Sequence, residues 1–257
     1  MQNTAQLHDF NKIYLAAQVL GENHLDDKAR GLLELLWQDP YLSHSKRFKV
    51  LAAKVELHAR SSKVKVLQLL LSLVNNEPGY TRYWKSLEAD QQAAIFEWLG
   101  ELQFSDGDSG SAQESFSRAA SMGRDTSILW RCLAELHIDQ EDLQNAIRYL
   151  QRSLDLFRQL ELGVLATTTY SLGSFGGHSP SQINCDLDSF LPLLLKMTKL
   201  AKNQKNLNKV RNLLDEMIHQ YPENTRLLKI KSLLDSVCVE HNLEAVRSYN
   251  NQADISQ

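Results

Sequence analysis

The chain has 257 residues, 43% hydrophobic and 23% charged, with a net charge of −3. That composition allows a sizeable buried core, and the net charge is too small to argue by itself for a nucleic-acid or acidic-surface partner. Eleven glycines and five prolines are few for an all-β chain, which would turn roughly every 8–12 residues. The charge is uneven: +2 over residues 1–92, −8 over 93–188 and +3 over 189–257. An acidic middle steers a basic ligand or forms a solvated face.

Residues 1–10 (MQNTAQLHDF) carry neither the basic start nor the apolar run of a secretory signal. The longest apolar stretch, Val64 to Val74, is interrupted by Lys65 and Gln68 and is too short to span a bilayer. Cys132, Cys185 and Cys238 lie far apart and odd in number, against a disulfide framework or a zinc site. The expectation is a soluble, cytoplasmic chain without membrane insertion, cofactor or metal.

In chain order, residues 10–42 place Ile13, Ala16 and Ala17 before Ala29, Leu33 and Leu36, with Pro40 at the end. Residues 47–80 place Val50 and Ala53 before Val66, Leu70 and Leu73, then Pro78. Each set has helical spacing, and the prolines predict helix stops. Residues 81–92 (TRYWKSLEADQQ) break the phase. In 93–126, Phe96, Leu99 and Gly100 are followed by Gly107-Asp108, then Ala112, Phe116 and Ala119. Thirty-four residues later stand Trp130, Leu133 and Ala134, then Glu141-Asp142, then Ala146, Leu150 and Ser153. Ser105-Asp106-Gly107-Asp108 predicts a helix break, and Ser111-x-x-Glu114 a capping box that opens the next helix.

Residues 161–188 read as an irregular loop insertion. Its Gly173-Ser174-Phe175-Gly176-Gly177-His178 run lacks the Gly-Lys-Ser/Thr of a P-loop, and Leu172 stands where a nucleophile elbow needs Gly. His178 and Cys185 are too few ligands for a metal. In 191–224, Leu194 and Met197 precede Val210, Leu214 and Met217, with Tyr221-Pro222 at the end. Residues 225–238 read as an amphipathic capping helix, and 248–257 as a flexible polar tail.

The large–large–small, then small–large–small order at a 34-residue period resembles the tetratricopeptide repeat family. Residues 93–126 and 127–160 carry the resemblance most fully, and 10–80 holds two degenerate repeats. Lys54 and Thr198 depart from it, where a small residue is usual. The resemblance implies an all-α, right-handed superhelical array of antiparallel helix pairs, an α-solenoid in one domain. It implies that repeat positions 2, 5, 9, 12 and 13 line a concave groove. Mapped here, those positions are Tyr14 and Gln18, then Phe48, Leu51 and Val55, then Glu97, Glu101 and Phe104. They continue as Arg131, Glu135 and Ile138, and finally Lys199 and Lys202.

A non-catalytic scaffold or adaptor follows, binding a protein or peptide segment with basic and apolar side chains at Glu97, Glu101 and Glu135. A homo-oligomer stays open. One alternative is an accessory subunit of an enzyme or transporter, acting through the 161–188 loop. A weaker alternative is RNA or polyanion binding through Lys196, Lys199, Lys202, Lys205 and Lys209, without aromatic side chains for stacking.

Overall fold

The computed structural model describes residues 3–39, 41–161, 187–201 and 204–254, and every regular element among them is an α-helix. They are α1 (Asn3–Glu22), α2 (Asp26–Gln38), α3 (His44–Ser61), α4 (Lys63–Val74), α5 (Thr81–Trp84) and α6 (Ala89–Ser105). Then come α7 (Ser109–Ser121), α8 (Ser127–Asp139), α9 (Leu143–Glu161), α10 (Leu187–Leu200), α11 (Gln204–Gln220) and α12 (Thr225–Asp254). The chain divides into two compact units, Met1–Asp125 with Leu160–Asn184, and Thr126–Gln159 with Cys185–Gln257. Most of the expected 161–188 loop lies outside the described residues.

Helices α1, α4, α6, α7 and α8 stop in one way. A single residue turns left-handed: His24 (φ 58°), Asn76 (54°), Gly107 (82°), Gly123 (90°) or Glu141 (59°). The next N–H reaches back to a carbonyl five residues earlier: Leu25 to Leu20, Glu77 to Ser72, Asp108 to Gln103, Arg124 to Ala119 and Asp142 to His137. These bonds satisfy carbonyls that a helix end leaves open. The stop after α4 is therefore Asn76 rather than Pro78.

The start of α7 corrects one expectation. The cap of α7 is Asp108, whose carboxylate accepts the Ser111 N–H at 3.1 Å. Ser111 sits inside the helix, and Glu114 instead pairs with Arg118 at 2.6 Å. Asp108 stands three residues before Ser111 and caps the helix there, so α7 has already begun where Ser111 was expected to open it. Of the expected tail, residues 248–254 fall within α12, which continues to Asp254.

In the first unit, α6 and α7 run antiparallel. Gly100 faces Phe116, the Ser115 hydroxyl donates to Gln103 Oε1 at 2.7 Å, and the Arg118 guanidinium lies 5.5 Å from the Phe96 ring centre. In the second unit, α8 and α9 pair likewise, with Ser127 bonded to Ser153 and Trp130 stacked on Tyr149 at 5.4 Å. The two turns match bond by bond at a spacing of 34. The N–H groups of Asp106, Gly107, Asp108, Ser109 and Ala112 bond Leu102, Phe104, Gln103, Gly107 and Asp108. Those of Gln140, Glu141, Asp142, Leu143 and Ala146 bond the residues 34 further on.

The described residues of the first unit form two apolar clusters, and α3 serves both. Val50, Ala53 and Leu57 pack with Ala29, Leu33 and Leu36, whereas Phe48, Leu51 and Val55 pack with Leu70, Trp98 and Leu102. Apolar side chains on two faces let one helix pack on both sides, with its charged residues between them. Residues 81–92 supply α5 and the first turn of α6, with Tyr83 and Leu87 in the second cluster. Among its described residues the second unit has one cluster, from α8 through α12, which includes Phe190, Leu194, Met197, Leu214 and Leu227. Fully burying such side chains stabilises by about 1.5–3 kcal/mol each.

Candidate partner-binding groove

Most of the side chains expected in a concave groove are occupied elsewhere. Glu97 is 3% exposed and its carboxylate lies 2.5 Å from Arg124 Nε, so it presents no carboxylate to solvent. Glu101 is buried one turn later, and Phe104 is half-buried. Arg131 is buried beside Cys132, with Glu135 at 3.3 Å. Glu135 is half-buried and also faces Lys196, at 3.8 Å. Ile138 belongs to the core of the second unit. Phe48, Leu51 and Val55 belong to a core cluster of the first. Tyr14 is half-buried, stacks on Phe10 and donates to the Lys49 carbonyl at 3.5 Å, and Gln18 is half-buried. Lys199 is exposed, and Lys202 lies outside the described residues.

The expected lysine stripe is divided between two helices. Lys196 and Lys199 belong to α10, Lys205 and Lys209 to α11. Lys196 lies 3.1 Å from Asp139, and Lys209 donates to the Gln144 side chain. Two of these ammonium groups thus already have partners.

An open apolar groove of about 510 Å³ runs between α10 and α12 in the second unit. Leu191, Pro192 and Leu195 form one wall, Ile230 and Leu233 the other. Leu191 and Ile230 are buried, while Leu233 is 40% exposed. The Asp188–Arg226 ion pair, at 2.9 Å, ties the first turns of the two helices, and Lys229 stands on the rim. Pro192 has no N–H to donate to the Asp188 carbonyl, four residues earlier in α10.

Both helices reach this arrangement by sequence. In α10, Phe190, Leu194 and Met197 are buried in the core, which turns Leu191, Pro192 and Leu195 towards the edge. In α12, Leu227, Ile230 and Leu234 do the same for Lys229 and Leu233. The groove residues also follow the 34-residue period: Pro192 and Arg226 are one period apart, as are Leu195 and Lys229. The groove positions that gave Lys199 and Lys202 also give Pro192 and Leu195. One further period gives Arg226, Lys229 and Leu233. Treating α12 only as a lid hid the second wall.

Among the described residues, no group of three or more His, Cys, Asp or Glu side chains is placed to hold a metal ion. No described helix is long and apolar enough to cross a membrane. The chain matches no protein-family model and no curated protein.

Proposed function

We propose that this chain is a non-catalytic partner-binding protein, and that the α10–α12 groove is where a partner docks. The observation that carries the reading is the groove itself. Leu195 and Leu233 keep apolar surface in solvent between two helices that each bury another face in the core. The matching turns after α6 and α8, and the 34-residue offset between the walls, support a tetratricopeptide-like array as the scaffold. The burial of Glu97 and its pairing with Arg124 argue against the basic peptide expected from sequence.

Leu195→Glu with Leu233→Glu places two carboxylates in the groove without touching the core. The full chain and this variant, compared as immobilised baits, test the reading once circular dichroism has verified equal helicity. A specific protein retained by the natural chain and lost by the variant is the expected result. Retention of the same set by both baits sinks the reading.

A further inference from the structure

We propose that the groove's occupant is an acidic segment of a partner protein, seating two apolar side chains between Leu195 and Leu233 and setting carboxylates against Lys229 and Lys199. This inference rests on the docking site proposed above and adds the chemistry of what enters it. The cations around the groove divide into two kinds. Arg226 is paired with Asp188, Lys196 with Asp139 and Lys231 with Asp215. Lys229 and Lys199 are both exposed, and no ion pair to either occurs among the described residues.

Lys229 stands on the rim of the apolar floor. Lys199 follows Leu195 by four residues, one helical turn, and continues the same stripe of α10. With Asp188 and Arg226 cancelling, the groove carries an excess of two positive charges at its edges. A purely apolar segment would take water from those ammonium groups and return nothing, whereas a carboxylate beside each offsets that cost. The lysine stems add apolar length to the walls.

The α10 side of the groove runs from Asp188 to Leu195, eight residues and about 10 Å of helix rise. That length accepts two side chains of a helix or strand. An open groove also suits a polypeptide, whose backbone stays solvated along one side. An acyl chain wants an enclosed pocket.

The full chain with labelled methyl groups is titrated with three probes and read by NMR. The first is a peptide of about twelve residues with two leucines four apart and flanking glutamates. The second replaces each glutamate by glutamine, and the third is dodecanoate. The acidic peptide should shift the methyls of Leu191, Leu195, Ile230 and Leu233. The glutamine peptide should bind about tenfold more weakly. Lys229→Glu should lower affinity for the acidic peptide about tenfold and leave the glutamine peptide unaffected. Equal binding of both peptides at those methyls overturns the acidic preference and leaves the docking site standing. Absence of any groove shift with both peptides removes the site and the preference together. Shifts with dodecanoate alone overturn the proposal in favour of a lipid.

Discussion

Gly100 and Phe116 approach so closely that a Cβ on Gly100 would stand 2.8 Å from Phe116 Cδ1. Thirty-four residues later the pair is Ala134 and Leu150, both fully buried: the methyl has appeared and the ring has gone. Gly100→Ala should therefore destabilise by about 1 kcal/mol. Overpacking against a buried ring costs roughly 1–3 kcal/mol, against about 1 kcal/mol gained in helix propensity. Adding Phe116→Leu should recover about 1 kcal/mol of the sum of the single losses, because the double variant copies the downstream pair. Urea unfolding of the four proteins decides it. A more stable Gly100→Ala would mean that the ring yields freely.

The same period converts an alanine contact into a polar one. Ala93 and Ala119 are fully buried, and their equivalents Ser127 and Ser153 bond reciprocally. The Ser127 hydroxyl donates to the Ser153 carbonyl at 2.8 Å, and the Ser153 hydroxyl to the Ser127 carbonyl at 2.6 Å. Replacing either serine by alanine should cost about 1 kcal/mol, the net worth of a buried hydrogen bond. Replacing both should cost less than twice that, since the upstream hairpin packs well with alanines there. Full additivity in chemical denaturation would count against equivalent packing in the two hairpins.

Much of the helical pattern was legible in the sequence because apolar spacing records which face each helix buries. The turn at Ser105–Asp108 was readable from Gly107, the residue that turns left-handed there. Glu141 makes the same turn without glycine, and only the 34-residue match pointed to it. The cap at Asp108 was misread, since both Asp108 and Ser111 are good caps and only the fold chooses between them. The burial of several expected groove residues was not legible for a different reason. A residue such as Val55 has the same local pattern whether its helix edges a surface or is packed on two sides, and neighbours from distant sequence decide. Glu97 was similarly opaque: its partner Arg124 lies 27 residues away.

Glu141 holds φ at 59°, a conformation that costs a side-chain-bearing residue roughly 1–2 kcal/mol. Its equivalent, Gly107, has no such cost. Glu141→Gly should stabilise the protein by about 1 kcal/mol, the relief less the extra chain entropy of glycine when unfolded. Glu141→Ala should not stabilise, as it keeps the Cβ. Thermal and urea midpoints of the two variants provide the comparison, and equal gains would place the effect in the carboxylate rather than the backbone.

His58 gives the first unit a defined response to acid. Burial lowers its pKa from the ordinary 6.5, and the positive charges of Arg30, Lys54 and Lys65 add to the shift, with Glu34 opposing it. The unfolded chain therefore takes up a proton before the folded one does. The resulting stability is fully present above pH 6.5 and falls as the pH drops through the window below it. Glu34 acts in a lower range. Its hydrogen bond to Lys54 lowers its pKa from 4.5, so its contribution persists above that value and is lost as the pH falls further. Urea midpoints at about pH 7.5 and about pH 5 thus isolate the histidine from the carboxylate. The natural protein should lose more stability between them than His58→Gln does. Parallel losses in the two proteins would show that His58 titrates alike when folded and unfolded.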